Sequence, residues 1–251
     1  MRCFLCFWLL LYGTGFCQAD SSTYQPEQKA EHKLPPIINK LWIPSGLAIL
    51  TTITMLDSNK YRLQNWIRKP LPAGFHSHVE DFIQYAPALM MYSADLLHVK
   101  SKNNAWNQTK YLAISEAITT GIVLALKYSL KIQRPDESSF NSFPSGHTAQ
   151  AFCEAHVFFN EYKSTHPLFA STGYLFAAST GALRVLNNRH WVPDVLAGAG
   201  IGILVSGLVY HFEPLKNWDP FAKRRAHKKS ELFLTPVFSG NFNGFQLRLK
   251  L

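Results

Sequence analysis

The chain has 251 residues and a formal net charge of +9, with 47% hydrophobic and 16% charged residues. This length allows one or two domains, and no second independent core is evident. The positive charge suits anionic partners such as phosphoesters or acidic lipid surfaces, and we expect no nucleic-acid partner because no nucleic-acid-binding module or nucleotide-binding glycine loop is visible.

The first 19 residues have the pattern of a secretory signal peptide. A single arginine precedes a short apolar core, Phe4–Leu11, and Cys17–Ala19 offers a small-x-small cleavage site. An uncleaved anchor helix is the alternative. Cleavage would leave Cys153 as the one remaining cysteine, so the exported product would hold no internal disulfide. Residues 20–40 follow as a polar linker.

Six apolar segments between residues 41 and 212 predict the main domain. In chain order they are Leu41–Leu56, Phe82–Val99, Tyr111–Lys131, His147–Tyr162, Leu168–Arg184 and Val192–Phe212. We therefore predict an all-α fold, a helical bundle of about six helices. Two uncharged stretches, Ser164–Leu183 and Val195–Phe212, reach the roughly 18 residues that a membrane span needs. The bundle is thus expected to be membrane-embedded or membrane-associated.

The segment Asp57–Asp81 between the first two helices is polar and shows no helical pattern. It contains His76 and His78, followed by Glu80 and Asp81. These side chains could ligate a metal ion, but such a cluster is more often part of a solvated loop. We predict a solvated loop and no metal site.

The C-terminal part of the chain changes character twice. Residues 213–230 form a basic segment directly after the last apolar run. Its six basic residues are Lys216, Lys223, Arg224, Arg225, Lys228 and Lys229. In residues 231–251 apolar residues recur at every second position, with Leu247, Leu249 and Leu251 alternating with charged residues. This alternation predicts a short β-hairpin.

Three short clusters between Lys127 and Asp194 contain the candidate chemistry. They are Lys127–Pro135, Ser142–Thr148 and Arg184–Asp194. Together they offer three cations, two histidines, one carboxylate and a Ser-Gly turn. This set suits an oxyanion with two or more negative charges, such as a phosphate monoester.

The first two clusters have the spacing of an anion site. Lys127 and Arg134 are seven residues apart, which is two turns on one helical face, although Pro135 marks a helix end. Gly146 begins an apolar-rich run, so Ser145 and Gly146 are predicted at a helix N-terminus. Unpaired N–H groups and the helix dipole favour an anion there.

The third cluster has the spacing of an oriented histidine. His190 and Asp194 are four residues apart, and Pro193 between them is tolerated only in the first turn of a helix. This places His190 at or just before a helix start. Asp194 can then reach back and fix the tautomer of the imidazole ring.

In this order, the clusters resemble the type 2 phosphatidic acid phosphatase superfamily, which includes bacterial class A acid phosphatases and vanadium haloperoxidases. The signature is K-x6-R-P, then P-S-G-H, then S-R-x5-H-x3-D. The matching residues are Lys127, Arg134, Pro135, Pro144, Ser145, Gly146, His147, Arg184, His190 and Asp194. Leu183 departs from the pattern, since the family usually has Ser there. The resemblance covers roughly residues 80 to 212.

The resemblance implies roles for these residues. His190 would attack phosphorus to give a phosphohistidine, while Asp194 holds its ring. His147 would protonate the leaving alkoxide and later activate water. The nonbridging oxygens would be held by Lys127, Arg134, Arg184 and the amides of Ser145 and Gly146. No metal ion or other cofactor is expected, because phosphoryl transfer asks mainly for positioning and charge stabilisation.

We therefore predict a metal-independent phosphatase that hydrolyses phosphomonoesters or pyrophosphates. Its expected substrates are lipids such as phosphatidic acid, phosphatidylglycerol phosphate, undecaprenyl pyrophosphate or lipid A, or a small phosphomonoester. The alternatives are a soluble periplasmic broad-specificity acid phosphatase, a vanadium haloperoxidase, and a noncatalytic envelope protein that binds phospholipid.

The expected location is the bacterial cell envelope, in the inner membrane. Basic residues after the last apolar run favour the cytoplasmic side there, which puts His190 on the periplasmic side. Counting crossings from a cleaved signal through a spanning Leu41–Leu56 puts Arg134 on the other side. Either Leu41–Leu56 lies in the interface, or the helices form a largely soluble exported bundle.

Overall fold

The structure is a computed structural model that describes residues 37–72, 74–220, 231–239 and 242–250. Between residues 37 and 220 it contains eight helices, so the all-α prediction is confirmed there, but the number of about six was too low. The helices are α1 (Ile38–Met55), α2 (Asp57–Arg68), α3 (Glu80–Ile83), α4 (Ala86–Leu96), α5 (Ala105–Leu130), α6 (Gly146–Tyr162), α7 (Pro167–Leu186) and α8 (Val192–Phe212). The signal peptide, most of the linker and residues 221–230 lie outside the described residues.

Helix α2 occupies half of the segment predicted as a loop. Gln64 is buried and donates to the carbonyl of Val185 at 3.2 Å, while Arg68 donates to the carbonyl of Leu186. These carbonyls lie at the C-terminus of α7, where a helix leaves acceptors without partners. Helix α2 is polar overall, but Leu63, Trp66 and Ile67 have the i, i+3, i+4 spacing of one helical face, and this spacing is the signal that could have revealed it.

The predicted helix Phe82–Val99 is divided in two. It is replaced by the short α3 and by α4, with Gln84 and Tyr85 between them. Pro87 occupies the first turn of α4. Proline is tolerated at that position but not inside a helix, so the chain must start a new helix here.

Helices α6 and α8 pack at backbone distance because α8 carries glycines. A Cβ atom at Gly198 would lie 2.6 Å from the carbonyl oxygen of Ser145, so any side chain would push the two helices apart. At Gly181 of α7, a Cβ atom would lie 2.7 Å from Val195 of α8. The starts of α6 and α8 and the end of α7 are thereby held together.

Four helix termini meet at one end of the bundle, here called the converging end. The N–H of Ser145 at the start of α6 donates to the carbonyl of Asp194 in α8 at 3.0 Å. Lys127 near the end of α5 binds the carbonyl of Ser142, which lies just before α6. At the opposite end, Glu161 of α6 accepts a 2.5 Å hydrogen bond from Tyr210 of α8.

In the described part of the chain, two helices, α5 and α8, are long and apolar enough to cross a membrane by length and composition. Residues 40–55 and 58–68 together pass the same measure, but their axes are bent by 92°. Within the described residues, α7, which holds most of the uncharged stretch Ser164–Leu183, does not meet it.

Two strands follow near the C-terminus. The backbone of β1 (Glu231–Ser239) pairs antiparallel with that of β2 (Phe242–Lys250), with Ser239 opposite Phe242. The side chains of both strands lie outside the described part of the chain. The hairpin unit of residues 231–251 therefore stays a prediction.

Candidate active site

His190 and Asp194 form a buried pair at the converging end. His190 is 2% exposed, and its Nδ1 lies 3.4 Å from Oδ2 of Asp194. The carboxylate accepts a 2.5 Å hydrogen bond from Ser142 Oγ and a 2.9 Å hydrogen bond from the N–H of Trp191. Asp194 is thus fixed in the first turn of α8 and faces the imidazole ring, as the spacing of four residues predicts.

Burial sets the protonation of His190. It lowers the pKa of His190 to about 4, although the nearby carboxylate of Asp194 opposes this shift and the charges of Arg184 and Lys127 reinforce it. The ring is therefore neutral at neutral pH. A neutral imidazole keeps the lone pair that a nucleophile needs.

Lys127 lies where the sequence predicts it, but Arg134 reaches the site by another route. Helix α5 ends at Leu130, and the left-handed φ of 46° at Lys131 turns the chain away. The prediction of one helical face for both cations is therefore wrong. Arg134 lies in the loop after α5, where Asp194 is among the charges that act on it.

Ser142 is a site residue for which the sequence analysis predicts no role. Its hydroxyl donates to Asp194, and its carbonyl accepts a hydrogen bond from Nζ of Lys127 at 3.5 Å. It therefore couples the end of α5 to the histidine–carboxylate pair. Its place beside the Pro144–His147 motif was the one available signal.

Helix α6 starts where it was predicted to start, but one of the two N–H groups expected to bind an anion is hydrogen-bonded within the protein. Ser145 is buried, and its N–H donates to the carbonyl of Asp194. Its hydroxyl lies 2.9 Å from that of Thr148. The geometry therefore does not support the anion-binding role predicted for the Ser145 amide, and leaves that role to Gly146.

Arg184 is paired with a carboxylate from the segment predicted as a solvated loop. Its Nη1 donates to Oε1 of Glu80 at 3.3 Å, and Glu80 is 1% exposed. Asn187 donates to the same oxygen and also binds the backbone of Ser77. The solvated-loop prediction is wrong for Glu80, whose buried carboxylate orients Arg184.

His147 lies on the other side of Arg184 and is paired with Asp81. Its Nε2 is 3.1 Å from Oδ1 of Asp81. Burial lowers the pKa of His147, and Arg184 lowers it further, whereas Asp81 and Glu80 partly offset these effects. Partial burial raises the pKa of Asp81, but hydrogen bonds with His78 and His147 outweigh it and hold the pKa below its usual value. Asp81 is therefore an ionised partner for His147.

Two guanidinium groups present unused donors. Nε of Arg134 and Nε of Arg184 are buried and have no hydrogen-bond partner within the described part of the chain. Buried polar groups are rarely left without a partner in folded proteins. Such donors match the oxygens of a phosphate. Among the described residues, no group of three or more His, Cys, Asp or Glu side chains is placed to hold a metal ion.

Comparisons with known proteins agree with the motifs. A family model described as "PAP2 superfamily" matches residues 108–218. A lipid A 1-phosphatase of Porphyromonas gingivalis is 35% identical over 207 residues, which cover 81% of this chain. The chain spans about half the length of that curated relative, 45%.

Two solved structures are similar in fold. LpxE of Aquifex aeolicus is 23% identical with a TM-score of 0.41, and the match covers 60% of this chain and 93% of that one. A transmembrane PAP2-type phosphatidylglycerolphosphate phosphatase of Bacillus subtilis is 22% identical with a TM-score of 0.45, covering 72% and 98%. At such values neither likeness bears on substrate or mechanism. From its motifs, the family model and the curated relative, the chain belongs to the PAP2 superfamily, the type 2 phosphatidic acid phosphatase family.

Proposed function

We propose that this chain is a phosphatase that removes a phosphate group from a lipid through a phosphohistidine intermediate. The observation that carries the proposal is the pair of buried, unpartnered guanidinium donors of Arg134 and Arg184 beside the His190–Asp194 pair. An anion with several oxygens would satisfy these donors. The histidine pair would supply the nucleophile.

In the first step, Nε2 of His190 attacks phosphorus while the bond from phosphorus to the leaving oxygen breaks. Asp194 near Nδ1 keeps the proton on that nitrogen and stabilises the positive charge that develops on the ring. His147 donates a proton to the leaving oxygen. The products of this step are a phosphohistidine at residue 190 and the free alcohol, or the lipid monophosphate when the substrate is a pyrophosphate.

In the second step, water attacks the phosphohistidine. His147 is now neutral and accepts a proton from this water as the new P–O bond forms. The P–N bond breaks, and its electron pair returns to His190. Inorganic phosphate leaves, and both histidines are ready for a further cycle.

The cations would supply most of the rate enhancement. Lys127, Arg134 and Arg184 come from different segments, and each lies near enough to His190 or Asp194 for their charges to interact. Fixed donors aimed at developing charge commonly contribute about 10²–10³ in rate each. Because these side chains provide the charge that a metal ion would otherwise provide, we propose a metal-independent reaction.

A lipid substrate is proposed from the surface of the bundle and from the curated relative. Helix α5 exposes Ile118, Ile122 and Leu124 and is one of the two candidate membrane spans. Contiguous apolar surface of this kind suits the hydrocarbon of a bilayer. The relative from Porphyromonas gingivalis is a lipid A 1-phosphatase, which supports lipid A among the four candidate lipids.

The same apolar helices support a position in the inner membrane. We propose that the converging end faces the periplasm, because the basic segment 213–230 follows the last helix at the opposite end. Reaction of an impermeant cysteine reagent with single cysteines introduced at each end of the bundle, in intact cells, tests this orientation.

The function is tested with the purified chain in detergent, assayed on the four lipids and on soluble sugar phosphates and nucleotides. Lipids are expected to have the higher kcat/KM, with turnover that survives EDTA and is inhibited by vanadate. Equal or better kcat/KM on the soluble compounds would favour a soluble broad-specificity phosphatase. Loss of turnover in EDTA with recovery on adding Mg²⁺ or Zn²⁺ would contradict the metal-independent mechanism.

A further inference from the structure

A cavity of about 680 Å³ opens at the opposite end of the bundle, between α4 and the start of α7. Tyr162, the neighbour of Glu161, donates a 3.0 Å hydrogen bond to Oδ1 of Asp95 in the last turn of α4, which ties α4 to this end of the bundle. The volume is within the range of ligand sites, about 300–1,000 Å³. The residues that line the cavity include none of the proposed catalytic or phosphate-binding residues, so it is separate from the candidate active site.

Most of the cavity wall is apolar and open at the side of the bundle. Its apolar residues include Leu89, Met90, Leu97, Val99 and Phe169. Leu89 is 69% exposed and Leu97 is 77% exposed, so the cavity is a groove on the surface. These two leucines are eight residues apart, which is about 12 Å along a helix. One leaflet of a bilayer contains about 15 Å of hydrocarbon. The apolar part of the groove is therefore nearly as long as one leaflet is thick.

The groove ends at two basic residues. His98 and Lys100 line it just after α4, and both are exposed. Among the described residues, no Asp or Glu side chain lines the groove. Helix α5, a candidate membrane span, begins at Ala105, five residues after Lys100. Because the start of a span lies near the surface of the bilayer, the two basic side chains lie at the level of lipid head groups.

We propose that this groove, here called the α4–α7 groove, binds one phospholipid with an anionic head group from the leaflet at the opposite end. An acyl chain lies along Leu89, Leu97 and Phe169, and the lipid phosphate contacts His98 and Lys100. Charge complementarity determines the choice of lipid, because basic residues at the membrane surface attract acidic lipids. This lipid is a bound ligand and not the substrate, because His190 and the cations that surround it lie at the converging end.

The first test compares two lipids by native mass spectrometry of the purified chain in detergent. Phosphatidylglycerol is anionic and has no phosphomonoester for the phosphatase to remove, whereas phosphatidylcholine with the same acyl chains has no net charge. Wild type is expected to bind phosphatidylglycerol about tenfold more tightly. Lys100→Ala should weaken this binding about fivefold, and that of phosphatidylcholine less than about twofold. The control is Lys163→Ala, an exposed lysine at the same end outside the groove, which should keep the preference.

The second test blocks the groove itself. Ser93 is an exposed residue of the lining, and Ser93→Phe is expected to weaken the binding of both lipids about tenfold, because its ring takes the place of the acyl chain. Ser171→Phe, at an exposed position on α7 outside the groove, should leave both affinities unchanged. Equal affinity of wild type for the two lipids, or unchanged lipid binding in Ser93→Phe, would overturn the proposal.

A third measurement needs no variant and decides the question if Ser93→Phe does not fold. Phosphatidylglycerol with a photoreactive diazirine in its acyl chain is added to wild type at one lipid per chain and illuminated. Labelling is expected within residues 89–99 or at Phe169, and excess phosphatidylglycerol should suppress it more strongly than phosphatidylcholine. Labelling confined to other helices would show that another segment of this chain, or a second copy of it, covers the groove. That result would overturn the proposal.

Discussion

A buried carboxylate at the opposite end of the bundle and two buried guanidinium groups at the converging end differ in whether their hydrogen bonds are made. At the opposite end, Glu161 is 1% exposed and accepts hydrogen bonds from Tyr210 and from both the side chain and the backbone of Asn103. At the converging end, Nε of Arg134 and Nε of Arg184 have no partner in the described residues. The first arrangement is closed, whereas the second is open to an anion.

This difference separates a structural role from a functional one. A buried carboxylate with all its hydrogen bonds made joins helices, and no oxygen of it is left to bind a ligand. Buried donors without partners carry a free-energy penalty of about 1–3 kcal/mol each, which a bound anion removes. Burial of a charged residue therefore says little about function by itself. The state of its hydrogen bonds says more.

The largest effect is expected from His190→Ala. If the converging end contains the nucleophile, this change should lower kcat by several orders of magnitude, because the phosphoenzyme can no longer form. Binding of vanadate should persist, since the cations remain. Steady-state turnover and vanadate binding are measured together, with the exposed His166→Ala at the opposite end as the control. Turnover above about a tenth of the wild-type value would contradict the nucleophile assignment.

A smaller but still large effect is expected from Arg184→Lys. Lysine keeps the charge that pairs with Glu80 but lacks the second N–H of the planar fork. We expect kcat to fall by about 10²–10³, the usual loss for one oxyanion donor. The same substitution at exposed Arg62 on α2 is the control and should leave kcat unchanged. Similar kcat values for Arg184→Lys and Arg62→Lys would show that Arg184 does not belong to the anion site.

The asymmetry between the ends was only partly visible in the sequence. The motif residues and their spacing indicated the His190–Asp194 pair, and the alternating direction of successive helices brings the four termini together. Glu80 and Asp81 were assigned to a solvated loop, because a short polar segment has no periodicity that reports burial. Their partners, Arg184 and His147, are more than 60 residues away in the chain. Only the tertiary fold shows such pairs.

Asp81→Asn tests whether Asp81 sets the pKa of His147, the proposed proton donor at the converging end. Asp81 raises the pKa of His147, so its loss should lower that pKa further. His147 must be protonated to donate to the leaving oxygen. The alkaline limb of the kcat profile should therefore move to lower pH, with activity at neutral pH falling about tenfold or less. Asp136→Asn, which removes the partner of Arg189 instead, should leave the limb in place. If the alkaline limb of the kcat profile did not move in Asp81→Asn, the role of Asp81 would be structural only.

The smallest catalytic effect is expected from Glu161→Gln at the opposite end. The amide places an N–H group where a carboxylate oxygen now accepts from Asn103, so one buried hydrogen bond is lost and two donors face each other. We expect unfolding free energy to fall by about 1–3 kcal/mol. For a chain of this size, that loss lowers Tm by several degrees.

Thermal unfolding in detergent measures this loss. On the preferred lipid, kcat/KM should stay within about twofold of wild type, because the hydrogen-bond partners described for the Glu161 carboxylate, Asn103 and Tyr210, lie outside the proposed site. Glu80→Gln is the matched change at the converging end, where it weakens the pairing with Arg184 and should lower kcat/KM as well as Tm. If Glu161→Gln reduced kcat/KM as much as Glu80→Gln, the closed network would contribute to catalysis after all. The contrast between the two ends would then be wrong.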